Sequence, residues 1–206
     1  MPKSLPDDEE FRRLRSYIED CHRCELRTQA RGVVFGEGDS HHPALVFIGE
    51  GPGAEEDRQL RPFVGPAGQL LDKMLHASGF SRFDGIYILN VVKCRPPGNR
   101  TPTVDERRSC WPHLAAQLRY LSPRIVILLG STAVHTLLGL PSLREARGRW
   151  YQRGGVWFRA TFHPAALLRN PQWKSFAWED MKMVVDKYRE CVNPAHESPF
   201  YPLHRG

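Results

Sequence analysis

Ala44-Leu-Val-Phe-Ile-Gly-Glu-Gly-Pro52 is a short continuous apolar run closed by glycines and a proline. A run that stays apolar instead of alternating, and that stops at turn residues, suits a parallel strand covered on both faces. The same pattern returns at Ile86-Tyr-Ile-Leu-Asn-Val-Val92 and at Arg124-Ile-Val-Ile-Leu-Leu129, and helical segments lie between the runs. Alternating strand and helix predict an α/β fold: three layers, α/β/α, around a central, mainly parallel sheet.

Working outward, Phe11, Leu14, Ile18 and Cys21 recur at helical spacing after the acidic start Pro6-Asp-Asp-Glu9, which predicts a helix over about 8–20. A second helix is expected over 67–78, stopped by Gly79, and a third after Thr103, whose pairing with Glu106 reads as a capping box. Pro112 is expected to kink or restart that third helix. A short helix over 131–138 ending at Gly139, a strand near 156–161 and a helix over 173–191 complete the order, the last with Phe176, Met181, Val184 and Tyr188 on one face. One domain over 1–191 is expected, followed by a tail, 192–206, that carries three prolines and no periodicity and should be loosely ordered.

Composition bounds the function. With 206 residues, 41% hydrophobic and 25% charged, the chain can bury a core and is not a disordered segment. No apolar run approaches the roughly 20 residues of a membrane span, and the polar, acidic first ten residues do not read as a secretory signal, so a soluble cytoplasmic protein is expected. The net charge of +6 suits a polyanionic partner without requiring one. Its basic residues gather around 93–108 and 144–159, stretches that on charge alone read as solvated faces.

Five cysteines in such a chain argue against a disulfide framework and raise the question of a metal or cluster. Cys21-His-Arg-Cys24 is followed far downstream by Cys94 and Cys110 around a loop containing Pro96, Pro97, Gly98 and Pro102. Four thiolates suit tetrahedral zinc or an iron–sulfur cluster, and the spacing leaves both open. Cys191 has no place in this pattern and reads as a helix-face residue.

Two further constellations lie at strand ends. Gly49, Gly51 and Ala54 match the loose dinucleotide pattern, but Asp72, at the expected distance of the ribose-binding acid, sits within a helix, and Pro52 interrupts the loop. What stands is a small-residue loop at the carboxyl end of a strand, where a ligand can approach the backbone. Phe63, Asn90 and His163 together supply an aromatic platform, an amide that donates and accepts, and an imidazole, the parts that hold a flat heterocycle.

Four blocks, Gly49-Glu-Gly-Pro-Gly-Ala-Glu-Glu-Asp57, Arg61-Pro-Phe-Val-Gly-Pro-Ala-Gly68, Asn90-Val-Val-Lys-Cys-Arg-Pro-Pro-Gly-Asn-Arg100 and His163-Pro-Ala-Ala-Leu-Leu-Arg169, resemble the family 4 uracil-DNA glycosylases in order and in wording. The resemblance implies a DNA repair enzyme, a monomer, that flips uracil from DNA and hydrolyses its glycosidic bond. It implies a [4Fe-4S] cluster on Cys21, Cys24, Cys94 and Cys110. The related branch that bonds covalently to DNA has a basic insertion ending in histidine that residues 95–103 lack, so covalent capture is not expected.

On that reading Phe63 stacks on the base, Asn90 accepts from N3–H while donating to O4, and Glu56 blocks thymine at C5. His163 donates to O2 of the leaving anion. Glu50 and Asn99 orient the water, with Gly51 standing where the best-known uracil glycosylases have a carboxylate. Leu167, Leu168 or Arg169 fills the gap left in the duplex. Two other classes compete: a nucleotide-binding oxidoreductase, which needs the glycine loop to hold a pyrophosphate, and a non-catalytic DNA-binding protein, which has no need of Asn90, Phe63 and His163 together.

Overall fold

A computed structural model describes residues 8–203, so Pro6 and Asp7 of the expected helix start lie outside the described residues. Six strands form one sheet: β1 (Glu37–Gly38), β2 (Leu45–Gly49), β3 (Ile86–Asn90), β4 (Ile125–Leu129), β5 (Trp150–Arg153) and β6 (Val156–Thr161). Their order is β1-β3-β2-β4-β6-β5. The inner four are parallel, and the edge strands β1 and β5 pair antiparallel. Every residue of β2, β3 and β4 is buried, the reason those runs are apolar throughout.

Alternate side chains feed two cores. Val46, Ile48, Leu89, Val126 and Leu128 pack with α1 (Asp8–Glu19) through Phe11 and Ile18. The same core includes Leu26 of α2 (Leu26–Gln29), Leu114 and Leu121 of α5 (Val104–Leu121), Val134 and Leu138 of α6 (Ser131–Leu138) and Ala146 of α7 (Leu143–Ala146). On the opposite face Phe47, Ile88, Ile125 and Ile127 meet Leu71 and Leu75 of α4 (Pro66–Ala77) and Met181, Val184 and Val185 of α9 (Lys174–Cys191). The expected three layers are present. Two short helices, α3 (Ala54–Gln59) and α8 (Pro164–Arg169), follow β2 and β6 and were not expected from periodicity.

Thr103 and Glu106 form the capping box foreseen for α5: the Glu106 amide donates to Thr103 Oγ1 at 3.2 Å and the Thr103 amide to Glu106 Oε2 at 2.7 Å. The helix then runs through Pro112 as one element and does not restart. Pro112 and Arg108 are both exposed, so the carbonyl that loses its partner at the proline faces water.

The expectation of a loosely ordered tail is corrected for residues 192–203. His196 and Ser198 are buried. His196 Nε2 lies 2.8 Å from the Ser78 carbonyl, and Ser198 Oγ donates to the Ala77 carbonyl at 3.0 Å. Those are carbonyls at the end of α4, which has no intrahelical donors for them. The His196 ring stacks on Phe80 at 4.4 Å, and Arg189 donates to the carbonyls of His196 and Tyr201. Side-chain capping of a helix end orders this segment and leaves no periodic trace. Among the described residues, no helix is long and apolar enough to cross a membrane.

Candidate active site

The register aligns Gly49 with Asn90 and Leu129 with Thr161, so the carboxyl ends of the four parallel strands form one rim. From β2 the chain moves to one side and then crosses to the other, which opens a crevice at this rim. A cavity of about 880 Å³ fills it, lined among others by Glu50, Gly51, Glu56, Phe63, Asn90, Asn99 and His163. All seven expected catalytic and base-binding residues therefore share one site.

Asn90 closes β3 and is buried; its main-chain carbonyl accepts from Lys93 Nζ at 2.7 Å, while its side-chain Oδ1 has no hydrogen-bond partner. A buried acceptor left unpaired costs about 1–3 kcal/mol, so it is built to be satisfied by something that enters. Gly49, opposite, must lack a side chain, because a Cβ there would lie 2.5 Å from Phe63 Cζ and would also collide with Asn90 Oδ1.

Phe63 is buried with φ 51°, a left-handed conformation that is costly without glycine. Glu56 holds it there. One carboxylate oxygen accepts from the amides of Val64 at 2.9 Å and Gly65 at 2.8 Å, and the other from Gly53 at 3.1 Å. Arg82 clamps the other side, donating to the carbonyls of Pro62 (2.9 Å) and Phe63 (2.7 Å) and to Asp72 at 2.9 Å. Asp72 is thus bound to an arginine beneath the Phe63 loop, and the ribose-binding role of the dinucleotide alternative falls away. Glu56 lines the cavity, as expected of a residue near the base, and its oxygens are committed to backbone amides, so it also braces the Phe63 loop.

His163 caps α8: the Ala165 amide donates to Nδ1 at 3.2 Å, which leaves the proton on Nε2. Burial, helped by the nearby Arg169 charge, pulls the imidazole down to about 4 from 6.5, so at neutral pH the ring is an uncharged donor. Its plane lies 29° from that of Phe63 with centroids 5.5 Å apart.

Glu50 accepts a hydrogen bond from Thr132 Oγ1 in the first turn of α6. Thr132 was not foreseen, as an isolated threonine in a helix start gives no signal. Asn99 sits exposed at the rim with φ 56°, its Oδ1 accepting from Arg95 Nε at 2.8 Å. Gly51 touches Val92: a Cβ would come within 2.7 Å of Val92 Cγ2, so a carboxylate here would require Val92 to move.

The three candidates for entering DNA separate. Leu168 is 44% exposed and Arg169 is exposed, whereas Leu167 is 1% exposed and packs inward, because α8 turns it toward the interior. Leu167 is corrected from wedge to core residue.

Cys21 and Cys24 follow α1, Cys94 follows β3 and Cys110 lies in α5; all are free thiols lining one small cavity with Lys93 and His113. His113 Nε2 is 3.0 Å from Cys21 Sγ. Burial pushes Cys94 up to about 12 and Cys110 up to about 11, and raises Cys24, so these three bare thiols hold their protons. Among the described residues no three His, Cys, Asp or Glu side chains converge closely enough to hold a single metal ion.

Residues 35–182 match the family model described as the Uracil DNA glycosylase superfamily, the class toward which the fold and this pocket point. A Thermotoga maritima protein named Type-4 uracil-DNA glycosylase is 45% identical over 158 residues, 74% of this chain and 80% of its own. A Pyrobaculum aerophilum protein of the same name is 39% identical over 183 residues, 84% of this chain and 92% of its own. A Thermus thermophilus protein named Type-5 uracil-DNA glycosylase is 35% identical over 127 residues, 55% of this chain and 57% of its own. The chain belongs to the type-4 uracil-DNA glycosylases of that superfamily.

Proposed function

We propose that this protein excises uracil from DNA by hydrolysing its N-glycosidic bond, and the observation that carries the reading is the unpaired Asn90 Oδ1 in the same cavity as a neutral His163. A uracil turned out of the stack pairs its N3–H with Asn90 Oδ1 and receives the Asn90 amide at O4, with Phe63 against its face. Cytosine presents the reverse pattern and leaves buried groups unpaired, which is costly in a dry pocket. Glu56 acts on base choice through the loop it braces, by fixing how closely Phe63 and the 64–65 backbone wall the pyrimidine.

As the glycosidic bond breaks, negative charge spreads over the uracil carbonyls, and His163 Nε2–H donates to O2 without losing a proton. Glu50, oriented by Thr132, holds the attacking water beneath the sugar, and Asn99 at the rim completes that hold. Leu168, exposed beside the pocket, occupies the space the base vacates. Arginines along the cavity wall meet phosphates, so binding weakens with salt.

Cys21, Cys24, Cys94 and Cys110 hold a [4Fe-4S] cluster in this proposal. Support comes from four free thiols on three segments that line one small cavity, a donor set that suits the thiolate ligation of such a cluster. When bound, the cluster supplies thiolate–iron bonds that tie the end of α1 to the β3–α5 loop.

The test is release of free uracil from a single-stranded oligonucleotide containing deoxyuridine. His163→Ala should slow the single-turnover rate by roughly 10² to 10³, the scale for one lost oxyanion donor. No release by folded wild-type protein would end the proposal.

A further inference from the structure

The cavity is far larger than one pyrimidine, and its other wall is aromatic and basic: Leu143, Arg144, Arg147, Phe162, Arg169 and Trp173 line it too. Phe162 and Trp173 stack at 5.2 Å and 23°, and the Arg147 guanidinium lies 4.3 Å over Phe162. This stack is held from behind. Asp180, buried at 2% exposure, accepts from Arg147 Nε at 2.8 Å, Arg159 at 3.0 Å and Thr161 Oγ1 at 2.9 Å. Two guanidiniums on one carboxylate leave a net positive charge, and the exposed Arg144 and Arg169 have no acidic partner among the described residues. Phe162 is the residue immediately before His163, so the stack is fixed relative to the base pocket.

We propose that this wall is a second nucleotide subsite, which holds the nucleotide flanking the uracil with its base stacked on the Phe162–Trp173 pair and its phosphate on Arg144 and Arg169. The inference rests on the uracil-excising reading. Ring stacking needs no particular base, so the subsite holds any flanking base and favours single strands, whose bases are free to splay.

The experiment uses short single-stranded oligonucleotides with one deoxyuridine, in which the base on either side is replaced in turn by an abasic spacer. Affinity is read by fluorescence anisotropy and uracil release in the same samples. In the wild type, a spacer at one of the two flanking positions should weaken binding by roughly 5- to 150-fold, the span of one stacked base. Trp173→Ala should abolish that penalty and Trp173→Phe should restore it. Arg144→Gln should reduce the slope of log K against log salt by about 0.7, one phosphate on a single strand. A spacer penalty of equal size in wild type and Trp173→Ala, or no penalty at either position, overturns the subsite while uracil release upholds the base pocket. Should Trp173→Ala not fold, the wild-type scan together with an unchanged salt slope in Arg144→Gln would overturn it. Binding without any uracil release overturns the glycosylase reading, and the flanking subsite with it.

Discussion

Glu56→Gln separates two accounts of base selection. The carboxylate accepts from three amides, two on one oxygen and one on the other. In glutamine the single oxygen can keep the Val64 and Gly65 amides, as neutral bonds about 1 kcal/mol weaker each than charge-assisted ones. Its NH₂ then faces the Gly53 amide, donor against donor, and one bond is lost for about 1–3 kcal/mol. Gly53 is only half-buried, so water takes part of that loss, and the total comes to about 2–4 kcal/mol. For a chain of this size that lowers the melting midpoint by about 4–16 °C. Release of the strained Phe63 backbone should also slow uracil excision, because the ring no longer has a fixed place. The assay pairs calorimetry with single-turnover excision of uracil and thymine. A midpoint within 1 °C of wild type, together with new thymine excision, would refute the brace and leave Glu56 as a direct block at C5.

The remaining expectations follow from the same geometry. Because the folded value for His163 lies near 4, below the ordinary 6.5, the neutral ring stabilises the fold above pH 6.5, and that contribution is lost as pH falls from 6.5 toward 4; ¹⁵N NMR should find an Nε2–H imidazole at pH 6, and an imidazolium there would contradict it. Leu167→Ala should cost about 2–5 kcal/mol of stability as a core truncation, while Leu168→Ala should keep the stability and reduce excision from duplex more than from single strands, as read by denaturant melts and paired rate assays. Cys94→Ala should remove the visible absorption and labile sulfide of anaerobically purified protein and lower its melting midpoint; stoichiometric zinc without iron in the wild type would contradict the cluster.

Strands β2, β3 and β4 were legible because each is buried on both faces, which forces a continuous apolar run and leaves no alternation to misread. The edges were not. β1 is a two-residue strand, and β5 is partly exposed, so neither builds a pattern. A signal for β5 did exist: Gly154 and Gly155, with φ of 56° and 81°, form the two-residue turn that pairs Arg153 with Val156. Asn90, Phe63 and His163 were legible as a set because each stands at a strand end or in a glycine loop. Glu56 was legible as a site residue but its bracing contacts were not, since the amides it binds lie eight and nine residues away and become neighbours only when the loop folds back. Leu167 was misread because a one-and-a-half-turn helix is too short to reveal which side faces inward. Thr132 and the tail contacts depend on pairs 82 and about 120 residues apart, distances at which no local pattern speaks.

The claim that Asn90 reads the base is tested most directly by Asn90→Asp, assayed beside wild type on single strands carrying uracil or cytosine. An ionised aspartate faces uracil O4 with an acceptor in place of a donor, so uracil excision should fall by roughly 10- to 150-fold, the factor for 1.4–3 kcal/mol. The same acceptor suits the cytosine amino group, and a protonated aspartate can donate to cytosine N3, so slow cytosine release should emerge and strengthen as pH falls. Uracil excision by Asn90→Asp at the wild-type rate, with no cytosine release at any pH, would contradict the account.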